Sequence, residues 1–171
     1  MDALSEMLFS RLYVVVFLIA SGFLLLIIGL FLGLTRSLTG RFKRKWLLVA
    51  LLGYYVMSVL CYTVFCRKMG ELTQFQPIPF YNLCDDTTPL SHFICEGMLN
   101  MVMFVPIGII ATLVGWSKWR IMIGAFLLSL SIETMQWLLK CGCCEMNDVI
   151  NNCLGTYIGL SVIVKIKRHE Q

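Results

Sequence analysis

Long apolar runs separated by short polar or basic breaks organise this chain. Residues 12–34 are nearly all Leu, Ile, Val, Phe and Gly, with no acid or base between Arg11 and Arg36. Further apolar runs cover 46–65, 98–116, 121–139 and the shorter 149–164. About 20 apolar residues are needed to cross the hydrocarbon core as a helix. The pattern therefore predicts an all-α, polytopic integral membrane protein with about five transmembrane helices. A cleaved signal would carry a basic start and an apolar region of ~7–15 residues. Here Asp2 and Glu6 precede a much longer run, so 12–34 is read as a membrane helix.

Polar residues break the last spans in a regular way. Ser129, Glu133 and Gln136 are spaced by four and then three residues, and Asp148, Asn152, Gly155 and Gly159 repeat with the same period. Both patterns place their residues on one face of a helix. A carboxylate at the centre of a membrane helix costs about 2.5–3.5 kcal/mol on insertion scales, so such a stripe is normally functional or internally paired. The short connection between these spans makes them antiparallel neighbours whose stripes can face each other. Glu133 lies seven residues before Lys140, roughly 10 Å below that end of the helix at 1.5 Å per residue. Asn100 opens the third span one turn after Glu96, and Asn151 joins the polar set.

Composition agrees with a membrane protein and adds an orientation. The 171 residues are 58% hydrophobic and only 14% charged, against about a quarter charged in soluble domains. One side of the predicted spans holds Arg36, Arg41, Lys43, Arg44, Lys45, Lys118, Arg120, Lys165, Lys167 and Arg168. The other holds Arg11, Arg67, Lys68 and Lys140. The heavier basic side belongs in the cytoplasm, which predicts an outside N-terminus and a cytoplasmic C-terminus. The net charge of +4 then describes a rim facing anionic lipid, and no nucleic-acid partner is expected.

Residues 1–66 read as a scaffold of two helices. Gly29 and Gly33 give the first a small-xxx-small packing face. The long loop from Arg67 to about Gly97 contains Pro77 and Pro79, which favour an extended path, and 91–97 reads as a short re-entrant or interfacial helix. Pro106 in the third span deprives the Val102 carbonyl of its donor, and that carbonyl needs another partner in a membrane. All eight cysteines fall on the outer half in this topology. The group Cys141, Cys143 and Cys144 is compatible with disulfides or free thiols. Its spacing departs from the paired C-x2–4-C of structural zinc sites, so no metal is expected.

Three uses of the polar stripe compete: an interhelical hydrogen-bond network, a solute or proton pathway, and an outward-facing recognition or catalytic site. Five short spans without an inverted repeat argue against a transporter. Glu133 and Asp148 have the chemistry of a general acid–base pair, but no nucleophile–histidine arrangement accompanies them.

The run Asn100-Met-Val-Met-Phe104-Val-Pro106-Ile-Gly108, then Ser129-Leu-Ser-Ile-Glu133-Thr-Met-Gln136, then Asp148-Val-Ile-Asn-Asn152-Cys-Leu-Gly155-Thr-Tyr-Ile-Gly159 resembles the VanZ-like family of bacterial membrane proteins. Pro79-Phe80 also fits its pattern, and the resemblance extends over about 77–164. It implies that residues 67–171 form a VanZ-like domain of an outer loop and three membrane helices, in the bacterial cytoplasmic membrane. It further implies action in the cell envelope that lowers the effect of teicoplanin-type glycopeptides.

The candidate polar pocket is then Asn100, Ser129, Glu133, Gln136, Asp148, Asn151 and Asn152, with Gln136 and Asn152 orienting Glu133. Pro106, Gly108, Gly155 and Gly159 are the candidate helix-packing positions. A cell-wall precursor or lipid headgroup is the candidate ligand, the bilayer is the constant partner, and no cofactor is expected. A membrane enzyme using the carboxylate pair and a structural accessory protein are the alternatives. Many family members carry a Gly-Arg pair between the fourth and fifth spans; here Gly142 is followed by Cys143. Lys140 is the candidate substitute for that cation.

Overall fold

The computed structural model describes residues 41–65, 67, 75–80 and 90–169, with the side chains of 41–43, 65 and 92 left aside. The first predicted span, with Gly29 and Gly33, lies outside the described residues, as do Cys66 and Cys84. Helix α1 covers Arg41–Leu60 and runs into a π-helical turn at Cys61–Phe65. Helix α2 is Leu90–Val114, α3 is Lys118–Leu138 and α4 is Met146–His169. All four are long and apolar enough to cross a membrane. Residues 91–97 belong to the first turns of α2, not to a separate interfacial helix. Apolar Phe93 and Ile94 extend the span on that side, and Leu90–Val114 passes through Pro106 without a break in the helix.

Two strands of two residues each complete the fold. Strand β1 (Phe75–Gln76) pairs in parallel with β2 (Cys144–Glu145), in the register Phe75↔Cys144 and Gln76↔Glu145. This pairing joins the long loop to the α3–α4 connection. The Phe75 and Trp137 rings meet at 6.3 Å, and the Phe80 amide donates to Asn147 Oδ1 at 2.8 Å. Three contacts thus strap 75–80 across the end of the α3–α4 pair.

Helices α2 and α4 form the most extensive pair, and glycine sets their separation. A Cβ on Gly155 would collide with the Met101 carbonyl, one on Gly159 with the Val105 carbonyl, and one on Gly108 with the Thr156 carbonyl. Small residues let membrane helices approach this closely, and dispersion supplies the attraction where lipid removes the hydrophobic drive. Around this seam Tyr55, Val59, Phe104, Ile110 and Leu160 make a buried core shared by α1, α2 and α4. The outward faces carry Leu47, Ile123, Leu127 and Ile158, a surface suited to lipid.

The Tyr55 hydroxyl donates to the Met103 carbonyl at 2.9 Å, tying α1 to α2 one residue beyond the carbonyl that Pro106 frees. The helix ends are closed by backbone geometry. At α2, Gly115 at φ 92 donates to Thr112 and Trp116 donates to Ala111. At α3, Lys140 at φ 53 donates to Trp137 while Cys141 donates to Gln136 at 3.0 Å. Both are Schellman caps, the second with lysine in the left-handed position that usually takes glycine.

Candidate functional site

The α3 stripe turns inward. Ser129, Glu133 and Gln136 are buried, Glu133 and Gln136 at 2% exposure each. Asn152 on α4 is equally buried and donates to Ser129 Oγ at 2.8 Å, joining the two helices. Gln136 donates to the Thr63 carbonyl at 2.9 Å. That carbonyl belongs to the π-helical turn at the end of α1, where helical donors run out. Glu133 Oε2 accepts the Glu145 amide at 2.9 Å, so the α3–α4 connection closes over the carboxylate. The amides of Gln136 and Asn152 therefore hold neighbouring elements, and their described hydrogen bonds go to Thr63 and Ser129 and not to Glu133.

A rim lies above these buried groups. Asn100, Asp148 and Asn151 are half-buried. The Asn100 side chain hydrogen-bonds the Asp148 carboxylate, linking α2 to α4. Asn151 packs over Gly97, where an added Cβ would lie 2.8 Å from its Nδ2. Asp148 sits in the first turn of α4 and Lys167, Arg168 and His169 in the last, the charge placement a helix dipole favours. Glu133 stands within electrostatic reach of Asp148, Glu145 and Arg67, and Asp148 within reach of Glu145, Glu96 and Arg67. The polar set thus converges at one end of the bundle, under the strap.

Several members of this cluster carry no periodic signal. Thr63, Arg67, Glu145 and Asn147 come from a helix end and from connections, so no helical stripe contains them together. Arg67 supplies the nearby cation. A Cβ on Gly142 would lie 2.5 Å from Arg67 Nη1 and 3.5 Å from Gln136 Oε1, so the guanidinium rests on a bare glycine. Lys140 is exposed at the cap. Its left-handed backbone turns Cys141 inward and leaves the lysine outside, which removes it as the substitute cation.

Cys141 and Cys144 carry free thiols, as do Cys61, Cys95 and Cys153. The α3 cap and the β1–β2 pair hold the connection. Burial pushes the Cys144 thiol up, and the negative charges of Glu133, Asp148 and Glu145 push it the same way. On the lipid-facing side of the α3–α4 seam, Met122, Phe126, Val149, Cys153 and Tyr157 line an apolar groove of about 320 Å³. Among the described residues, no three His, Cys, Asp or Glu side chains are placed to hold a metal ion.

Four apolar helices enclosing a polar, carboxylate-bearing seam at one end define an α-helical polytopic membrane protein with a buried polar site. A family model described as VanZ/LLP1 matches residues 46–168. The chain belongs to this VanZ-like family, and the match takes in α1 together with α2–α4. No curated protein and no solved structure matches the chain.

Proposed function

We propose that this protein acts in the bacterial cytoplasmic membrane to lower the action of teicoplanin-type glycopeptides, by binding or altering a cell-wall or lipid component at the outer leaflet. The observation that carries the reading is the burial of Glu133 in a membrane helix beneath a half-buried rim of Asn100 and Asp148. A buried membrane carboxylate costs several kcal/mol and marks a functional position by default. The excess of basic residues at the opposite end supports an outward-facing site.

Glu133→Gln, expressed in a sensitive Gram-positive host beside the parent, tests this directly. At matched membrane abundance, the variant returns teicoplanin susceptibility to that of cells without the protein. Unchanged protection would remove Glu133 from the site. The proximity of Glu133 and Asp148 favours a second reading, a membrane enzyme using the two carboxylates as acid and base on a lipid-linked substrate. Turnover of such a substrate, lost in both Glu133→Gln and Asp148→Asn, would select that reading. The bonds from Gln136 to Thr63 and from Asn152 to Ser129 favour a structural share in the stripe. If Glu133→Gln fails to accumulate as folded protein, that share extends to Glu133.

A further inference from the structure

Two acceptors of the polar seam have no donor. Gln136 Oε1 and Asn152 Oδ1 are buried with no hydrogen-bond partner, on side chains only 2% exposed. A Cβ on Gly142 would lie 2.5 Å from Arg67 Nη1 and 3.5 Å from Gln136 Oε1, so this amide oxygen stands near the guanidinium at the edge of the charged cluster. In the same cluster Glu133 is within electrostatic reach of Glu145 and Asp148, and Asp148 within reach of Glu145 and Glu96, while among the described residues Arg67 is the cation that acts on Glu133 and Asp148. Acidic side chains outnumber basic ones here, and the orphan groups are acceptors. A buried acceptor without a donor costs about 1–3 kcal/mol.

The complement to such a site is a compact cation that brings several N–H donors and no acceptor. A primary ammonium has one positive charge and three donors. A divalent ion is the poorer match, because no three described carboxylate, thiol or imidazole groups converge on a point. An anionic phosphate is disfavoured where carboxylates outnumber the single nearby guanidinium among the described residues. Glu96, Asn100 and Asp148 at the rim are half-buried, so part of each stays accessible.

We infer that the seam between α2, α3 and α4 is a binding site for a primary ammonium group, held by the Glu133 and Asp148 carboxylates and the Gln136 amide oxygen. This rests on the reading of the seam as a ligand site and names the chemistry of its ligand. The amine has two sources, a lipid headgroup or a soluble compound, which two arms of one experiment separate.

The full chain is reconstituted in phosphatidylglycerol nanodiscs and titrated with ethanolamine, with N-acetylethanolamine as the uncharged control. The thermal unfolding midpoint is read, since a ligand that binds only the folded state raises it. A second sample uses nanodiscs containing phosphatidylethanolamine and no free amine. Stabilisation in the first arm assigns a soluble amine, in the second a headgroup, and in both an ammonium irrespective of its carrier.

Asp148→Asn weakens the effect by about ten- to a hundred-fold, the size of a lost charge-assisted hydrogen bond. Glu96→Gln at the half-buried rim gives a second variant should Asp148→Asn fold poorly, and it weakens the effect by about two- to ten-fold. Equal stabilisation by the N-acetyl control, or none in either arm, overturns the inference. If the amine fails to bind while Glu133→Gln still abolishes protection, the ammonium site falls and the glycopeptide reading stands.

Discussion

The most telling residue is Glu133, because three elements are built around it. Its own helix buries it, β2 donates an amide to it, and Arg67 arrives from beyond α1 to offset its charge. Cys144, at the edge of this group, reports on it from outside the membrane spans. Its thiol is raised first by burial and then by the Glu133, Asp148 and Glu145 charges. Reactivity follows the thiolate fraction, so replacing Glu133 by Gln lowers the Cys144 pKa and speeds its alkylation at fixed pH. With Cys144 as the sole remaining thiol, an unchanged rate would show that no negative charge at Glu133 reaches it. Lys140 offers a separate test of the local reading. A left-handed non-glycine residue costs roughly 1–2 kcal/mol, so Lys140→Gly raises stability by about 1 kcal/mol in a thermal unfolding assay. A neutral result would mean that the exposed lysine is otherwise compensated.

Among elements, the α2–α4 pair fixes the site because its glycines leave no room for drift. Gly155 and Gly159 face the carbonyls of Met101 and Val105, and Asn100 and Asp148 sit at the end of the same interface. Gly155→Leu drives the helices apart at a point where the obstruction is backbone and cannot swing away. Overpacking of this kind costs about 1–3 kcal/mol, read as a lowered unfolding midpoint, and it separates Asn100 from Asp148. An unaltered midpoint would contradict the close packing. The four spans within the described residues were legible in the sequence, since length and apolar character need no tertiary information. The stripe at Ser129, Glu133 and Gln136 was legible for the same reason, as a helical period. Arg67, Thr63 and Asn147 were not, because their roles depend on which chain ends meet. Two-residue strands are too short to leave an alternating pattern, so β1 and β2 could not be seen either. Lys140 misled because sequence distance suggested a cation near the cluster, while the cap geometry turns it outward.

At the scale of the whole molecule, the polar cluster, the strap and the rim occupy one end, and the basic Lys118, Arg120, Lys165, Lys167 and Arg168 occupy the other. An outward-facing site requires the first end to lie outside the cell. Ser91 at the start of α2 and Ser117 just before α3 are both exposed and stand at opposite ends of the bundle. In a background without native cysteines, Ser91→Cys and Ser117→Cys are treated in intact cells with a membrane-impermeant maleimide. The predicted result is labelling of Ser91→Cys in intact cells and of Ser117→Cys only after lysis. The reverse pattern would place the seam on the cytoplasmic side and contradict a site that acts at the outer leaflet.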